Sequence, residues 1–135
     1  MSFQTAQGRP ESSSPIQRRV ATVFIPVKDI EQARAWYGRL LGFEERDCEI
    51  AYGHLCRLPT AGAEIVLDTM PMWGGQEPGG AAPIETPVVM LTTDDLQASL
   101  AYVADLGAER ITDIENDHWF VLKDPDGNKL MICKR

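Results

Sequence analysis

Two carboxylates, Glu64 and Asp68, are the side chains of this sequence best placed to do chemistry. They lie in a predicted strand in which side chains alternate, so both point to the same face as Val66. Either could serve as a general base if burial raised its pKa. Together with His118, they could also converge on a metal ion. The alternative is that both carboxylates are solvated at strand ends and that the histidine lies at a hairpin tip.

The three cysteines, Cys48, Cys56 and Cys133, show neither a CxxC pair nor a metal-ligand spacing. Their odd, sparse count predicts reduced thiols in a cytoplasmic protein. Cys48 and Cys56 would face each other across a hairpin only if its turn had three residues. The chain also lacks a G-x-S-x-G nucleophile elbow, and its GGQEPGG segment lacks the Lys-Ser/Thr of a phosphate-binding loop.

The charge balance excludes several classes of partner. With 13 basic and 20 acidic residues the formal net charge is −7, which repels phosphate backbones and anionic lipid. We therefore expect no nucleic-acid partner and no membrane partner, whereas a cationic ligand would be tolerated. Residues 1–18 are rich in Ser, Gln and Pro and have no apolar signal core, which predicts a flexible N-terminal arm.

The rest of the chain, residues 19–135, predicts one α+β domain in which the same order of elements occurs twice. Asp29 caps the first helix, which Gly42 ends, and Asp95 caps the second, which Gly107 ends. The predicted strands are Val20–Val27, Phe43–Ala51, His54–Leu58 and Ala63–Asp68 in module one (19–69), and Pro87–Thr93, Glu109–Ile114, His118–Lys123 and Lys129–Cys133 in module two (86–135). A Gly- and Pro-rich linker, 70–85, joins the modules.

The sequences of module one and module two can be aligned with each other, which indicates an internal repeat. Gly62 corresponds to Gly127 in the last turn of each module, and Glu64–Leu67 then corresponds to Lys129–Ile132. Pro125 and Gly127 within Asp124–Asn128 supply the fixed φ and the positive φ that this turn requires. The register places Val66 and Met131 at equivalent positions.

Two segments, VKDIEQARAWYGRLLGF near the start and DPDGNKLMI near the end, resemble the vicinal oxygen chelate superfamily of glyoxalase I, bleomycin resistance proteins and extradiol dioxygenases. The resemblance extends from Val20 to Cys133. It implies two tandem βαβββ modules whose strands form a curled mixed-sheet cup, with the helices outside and the ligand within.

The resemblance also locates the positions that hold metal ligands in metal-using members. They fall on Thr22 and Val66 in module one and on Val88 and Met131 in module two. A hydroxyl, two hydrocarbons and a thioether are poor ligands for Zn²⁺, Ni²⁺ or Fe²⁺. We therefore expect neither a metal nor another cofactor at these positions.

Without metal ligands the predicted cup becomes an apolar binding site. By strand alternation Phe24 accompanies Thr22, and Met90 accompanies Val88. Trp73 on the linker is either a lid or a plug, and Trp119 is either a cup wall or a packing residue. The predicted ligand-binding residues are Thr22, Phe24, Val66, Asp68, Trp73, Val88, Met90, Trp119 and Met131.

The favoured hypothesis is metal-independent binding of a small aromatic or amphiphilic molecule, cationic ones included, by a homodimer similar to bleomycin resistance proteins. One alternative is a lyase, isomerase or dioxygenase that uses an off-pattern metal or Glu64 or Asp68 as base. Another is an interaction module whose cup is filled by its own side chains or by the N-terminal arm. The sequence leaves open whether the cup forms within one chain or between two.

Overall fold

A computed structural model describes residues 14–135 and shows two modules with the same order of elements. The elements are β1 (Thr22–Pro26), α1 (Ile30–Leu41), β2 (Ile50–Ala51), β3 (Leu55–Leu58), β4 (Glu64–Asp68), β5 (Val89–Thr93), α2 (Leu96–Asp105), β6 (Glu109–Arg110), β7 (Trp119–Lys123) and β8 (Lys129–Lys134), with a 3-10 turn, Glu45–Asp47, before β2. The predicted α+β fold of two βαβββ modules is confirmed. Most of the predicted arm, residues 1–13, lies outside the described residues, and the segment 14–21 forms no helix or strand.

Each module contributes one open, mixed sheet. The strand order is β1-β4-β3-β2 in module one and β5-β8-β7-β6 in module two. β1 runs parallel to β4 and β5 parallel to β8, while the remaining neighbours are antiparallel. The sheets curl as predicted and do not close into a barrel. β1 and β5 therefore both lie at a sheet edge.

Both helices begin at the predicted aspartates. Asp29 Oδ1 accepts hydrogen bonds from the backbone N–H groups of Glu31 and Gln32, and Asp95 Oδ1 accepts one from Ala98. These bonds satisfy backbone donors that have no partner inside the helix. At the other end of α1, Gly42 adopts a left-handed conformation with φ of 77°, as its prediction as a C-cap requires. No helix within residues 14–135 has the length and apolar character needed to cross a membrane.

Two predicted strands are much shorter than the sequence indicated. Phe43–Ala51 is reduced to β2 because Asp47 accepts a hydrogen bond from Glu44 N and closes the 3-10 turn. Glu109–Ile114 is reduced to β6 because Ile111 N and Thr112 N both donate to the carbonyl of Val121. Two residues then oppose one, which interrupts the strand ladder as in a β-bulge.

The prediction of reduced thiols is wrong for two of the three cysteines. Cys48 and Cys56 form a disulfide with a Cα–Cα distance of 6.0 Å, and Cys133 is free and buried. Ile50, not Cys48, lies opposite Cys56 in the hairpin register. Cys48 directly follows the 3-10 turn as its C-cap residue, before β2 begins. The disulfide therefore joins this turn to β3 rather than two residues paired in the hairpin. The cysteine count therefore no longer argues for a cytoplasmic location.

The two modules share one hydrophobic core. Its buried side chains come from α1 and the inward sheet face of module one and from the corresponding elements of module two, among them Ile25, Trp36, Leu67, Phe120 and Leu122. The rings of Trp36 and Tyr37 pack edge to face with centroids 4.9 Å apart, a favourable aromatic geometry. The cluster of buried side chains is therefore continuous across the two modules.

A network of buried hydrogen bonds connects the two modules. Tyr37 donates a 2.6 Å hydrogen bond to Asp124 Oδ2, and Asn128 Nδ2 donates to Asp124 Oδ2 and to the carbonyl of Pro26, each at 2.8 Å. Asn128 Oδ1 accepts from Ile84 N of the linker at 2.7 Å. We call these five residues the inter-module network. The D-P-D-G-N turn thus connects β1, α1 and the linker in addition to closing a hairpin.

Burial and nearby charges raise the pKa of two side chains, Tyr37 in this network and Asp126 beside it. Burial, followed by the charge and hydrogen bond of Asp124, raises the pKa of Tyr37 far above its ordinary value. Asp126 in the same turn accepts a 2.9 Å hydrogen bond from Lys28 N. Burial is the main cause that raises the pKa of Asp126, although this hydrogen bond opposes the shift.

Candidate functional site

The strand register sorts each sheet into a core face and an open face. In module one, β1 places Thr22 opposite Glu64 and Phe24 opposite Val66 of β4. The strand on the other side of β4, β3, places Arg57 opposite Val66. Paired residues point to the same side of a sheet, so these side chains share one face. Ile65 and Leu67, which alternate with them, are buried in the core.

A cavity of about 550 Å³ lies on the open face of module one. Three of the predicted ligand-binding residues line it, Thr22, Phe24 and Val66, and so does the candidate base Glu64. The remaining lining residues come from the 3-10 turn, the β2–β3 hairpin and β3, namely Arg46, Asp47, Glu49, Ala51, Tyr52, Leu55 and Arg57. We call this space the module-one cavity.

The two candidate catalytic carboxylates are both engaged with protein groups. Glu64 Oε2 lies 2.9 Å from Arg57 Nε, and Glu64 Oε1 accepts a hydrogen bond from Thr22 Oγ1 at 3.4 Å. Asp68 Oδ1 accepts from Met70 N at 2.7 Å, and its residue is only 9% exposed. Asp68 shares the open face, since it lies opposite Leu55 in β3, but it does not line the module-one cavity.

Two other carboxylates make the edge of the cavity acidic. Asp47 and Glu49 line it, and neither forms a salt bridge with any residue in the range 14–135. The two guanidinium groups nearby are paired, Arg46 with Glu44 and Arg57 with Glu64. The uncompensated charge beside the cavity is therefore negative.

The predicted residues of module two lie on its own open face. Met90 and Val121 both pair with Met131, and Trp119 pairs with Cys133 two residues further along β8. Trp119 therefore points to the same side as Met131, an orientation that the sequence pattern did not determine. Val88 lies immediately before β5.

The structure does not bring the two sets of predicted residues together in one cavity. No residue of module two lines the module-one cavity, and the two sheets share no strand pairing in the described chain. Phe24, Val88 and Met90, which lie along or beside the edge strands β1 and β5, remain 50%, 59% and 58% exposed. Trp73 is also largely exposed, in a turn where its N–H donates to the Met70 carbonyl.

The metal-ligand positions implied by the resemblance do not fit a divalent cation. Thr22 and Val66 lie in one cavity, whereas Val88 and Met131 belong to the other module, and none offers a charged or imidazole donor. No group of three or more His, Cys, Asp or Glu side chains within residues 14–135 is placed to hold a metal ion. His118 lies on the hairpin of module two, so the displaced site with Glu64 and Asp68 does not form within the chain.

Sequence reasoning missed two features of this cavity. The first is Arg57, whose pairing with Glu64 follows from the β3–β4 register and could have been found once that register was assumed. The second is Tyr52, which lines the cavity from the hairpin tip. Its signal was an aromatic residue directly before Gly53, in a loop position where Asn or Asp is typical.

Comparison with known proteins relates the chain to one family. A family model described as a glyoxalase-like domain matches residues 22–133. No curated protein sequence matches the chain.

Solved structures share this fold over nearly the whole chain. TnmS3, an antibiotic binding protein from Streptomyces sp. CB03234, is 23% identical with a TM-score of 0.65, and the match covers 90% of this chain and 98% of that one. A glyoxalase/bleomycin resistance protein/dioxygenase superfamily member from Sphaerobacter thermophilus is 21% identical, covering 86% and 96% with a TM-score of 0.65. A lactoylglutathione lyase from Agrobacterium tumefaciens is 14% identical, covering 88% and 95% with a TM-score of 0.64. At these identities the likeness establishes the fold alone.

Proposed function

The chain belongs to the glyoxalase-like domain family, and from that premise we propose that it binds a small aromatic or amphiphilic cation without using a metal. The binding site is the module-one cavity, completed by module two of a second copy in a homodimer. The domain, residues 19–135, acts as a carrier, sensor or sequestering protein rather than as an enzyme.

The observation that carries this proposal is an open apolar face in each module. The module-one cavity has Phe24, Leu55 and Val66 in its lining, yet Phe24 remains half exposed. Met90 and Val88 of module two are exposed in the same way. Apolar side chains grouped on a sheet face typically mark a ligand or protein interface.

A second copy is the occupant that best completes the site. The inter-module network and the shared core join the two modules of one chain. In that arrangement of the described residues, Phe24, Val88 and Met90 at the sheet edges stay at least half exposed. Both faces border a free sheet edge, β1 or β5, and an uncovered strand edge favours pairing with another chain. A two-fold dimer would place each module-one cavity opposite the Met90 and Met131 face of the partner subunit.

Charge supports a cationic guest. Asp47 and Glu49 contribute carboxylates that no basic side chain of residues 14–135 neutralises, and the whole chain carries a net charge of −7. Such a field attracts cations and raises their local concentration. The fold neighbour TnmS3 is an antibiotic binding protein, whereas a lactoylglutathione lyase shares the same fold. The acidic edge of the cavity, rather than the fold, therefore supports the proposed cationic ligand.

The enzyme alternative has less support. A general base must be free to take a proton from the substrate, whereas Glu64 is held by Arg57 and Thr22, and Asp68 by Met70 N. The positions that carry metal ligands in the superfamily hold Thr22, Val66, Val88 and Met131, which supply no Lewis acid site.

Fluorescence titration with ethidium, a planar aromatic cation, tests the proposal. We expect saturable binding of one ethidium per chain with a dissociation constant of about 1–100 μM, a range reached by burying a few hundred Å² of apolar surface. Added EDTA should leave the affinity unchanged. The anionic dye 8-anilinonaphthalene-1-sulfonate is the control and should bind more weakly. A lack of saturable ethidium binding, or its loss in EDTA, would contradict the proposal.

A further inference from the structure

Tyr52 adopts a left-handed backbone conformation that is unfavourable for tyrosine. It begins the loop Tyr52–His54 between β2 and β3 with φ of 52°, and Gly53 follows with φ of 75°. Two consecutive left-handed residues suit Gly, Asn and Asp, whereas a bulky aromatic residue is strained there.

Module two contains the same loop with residues that fit it. Asn116 and Asp117 have φ of 53° and 52°, and His118 N donates to the carbonyl of Glu115 as His54 N donates to that of Ala51. Trp119 pairs with Glu115 as Leu55 pairs with Ala51. Asn116 therefore shows what the loop accepts without strain, and Tyr52 occupies the corresponding position.

Folding of the chain does not account for the Tyr52 ring. Tyr52 is 88% exposed, and within residues 14–135 its ring has one aromatic neighbour, His54, at a tilted angle with centroids 6.5 Å apart. The hydrogen bond that closes the loop, from His54 N to the Ala51 carbonyl, involves backbone atoms alone and would form with any residue at this position. The ring nevertheless borders the module-one cavity beside Phe24 and Leu55.

We propose that Tyr52 is a ligand-binding residue that stacks on the aromatic ring of the bound cation, and that its strained backbone is retained for this contact. The proposal rests on the proposed function of the same cavity. A tyrosine face attracts a cation and a planar ring, and the side chain loses little rotational freedom on binding. Strained residues concentrate at ligand-binding positions, where binding compensates for the strain.

Two contacts restrain the backbone that carries this ring. The disulfide between Cys48 and Cys56 brackets the loop, and His54 Nδ1 contacts the Tyr52 carbonyl at 3.1 Å. Both restrain the backbone at the hairpin tip. Because this backbone is already restrained, the hairpin tip loses less conformational entropy when a ligand binds.

Tyr52→Asn tests the proposal because stability and binding should change in opposite directions. We expect the melting temperature to rise by about 3–5 °C, since Asn accepts the left-handed conformation. We expect the dissociation constant for ethidium to rise about tenfold through loss of stacking. Tyr52→Phe keeps the ring and should retain wild-type affinity and wild-type melting temperature.

One further variant, in module two, tests the cost of the ring in this loop. Asn116→Tyr places the same ring in the equivalent loop and should lower the melting temperature by a similar amount. If Tyr52→Asn binds ethidium as tightly as the wild type, or melts at a lower temperature, the role of Tyr52 is refuted while the binding function stands. If Tyr52→Phe loses affinity as fully as Tyr52→Asn, stacking is refuted. If the wild type itself does not bind ethidium, the proposed function fails and this inference fails with it.

Discussion

The hydroxyl of Tyr37 in α1 donates a 2.6 Å hydrogen bond to Oδ2 of Asp124 in the last turn of the other module. Asp124 is buried, and the same oxygen also accepts from Asn128. A buried carboxylate is stable only when hydrogen bonds satisfy it. Tyr37 therefore stabilises the position of one module on the other, which in turn decides where the two open faces lie.

Tyr37→Phe should lower the free energy of unfolding by about 1–2 kcal/mol, because it removes one hydrogen bond from a buried carboxylate and creates no cavity. Urea denaturation followed by circular dichroism measures the change. Tyr102→Phe is the matched control, since its hydroxyl also joins the two modules by donating from α2 to the Arg39 carbonyl of α1, but on the exposed surface. This control should cost about 0.5 kcal/mol or less. Equal losses for the two variants would show that the inter-module network adds no special stability.

Alkaline pH should destabilise the protein through Tyr37. Its pKa in the folded chain is raised above the ordinary value of 10.0, so the folded state keeps the proton that the unfolded state loses. The stability is fully present below pH 10.0 and is lost as the pH rises further, by about 1.4 kcal/mol per pH unit from this group. Above pH 10.0, the free energy of unfolding of Tyr37→Phe should fall less steeply with pH than that of the wild type, and the difference should approach this slope by about pH 11. Urea denaturation at a series of pH values measures it. An identical slope in both proteins would contradict the assignment.

The disulfide should stabilise both the fold and the cavity wall. Replacing Cys48 and Cys56 by Ala should lower the free energy of unfolding by about 2–3 kcal/mol, because the closed loop restricts the unfolded chain. Ethidium binding should weaken in parallel, since Glu49 and Leu55, which line the cavity, are next to these cysteines in sequence. Dithiothreitol should reproduce the loss in the wild type and leave the double variant unchanged. Thiol titration in denaturant that finds three free cysteines in the untreated wild type would refute the bond.

Local chemistry made much of the fold predictable. Gly62 and Gly127 mark equivalent turns, and the register counted from them placed Val66 and Met131 correctly, since Val66 pairs with Phe24 and Met131 with Met90. The aspartate caps were predictable for the same reason, because a side-chain oxygen at the N-cap acts within a few residues of its own position. Periodicity, turns and caps are short-range signals, and they were sufficient for the two modules.

Long-range and backbone-specific features were not predictable. Nothing in the local pattern around Tyr37 indicates that its hydroxyl meets Asp124, because that contact depends on how the two finished modules pack. The disulfide depends on a 3-10 turn in a segment whose composition indicated a strand. The left-handed φ of Tyr52 contradicts the preference of its residue type, and sequence reasoning that relies on preferences fails at such a position.

Subunit complementation can decide whether each binding site is shared between two chains. Phe24→Lys damages the open face of module one, and Met90→Lys damages that of module two. Both side chains are at least half exposed, so each variant should fold. Each variant alone should bind ethidium at least tenfold more weakly, because an ammonium group replaces apolar contact area and repels the cation.

A mixture of the two variants should regain binding only if the site is shared. In a mixed dimer, one site combines both damaged faces. The other site combines the intact module one of the Met90→Lys chain with the intact module two of the Phe24→Lys chain. Refolding an equal mixture should therefore restore wild-type affinity at up to one site per mixed dimer, and light scattering should give twice the mass of one chain. If every site lies within one chain, each chain of the mixture retains its own damaged face. Binding in the mixture would then equal the average of the two variants, and the proposed dimeric site would be wrong.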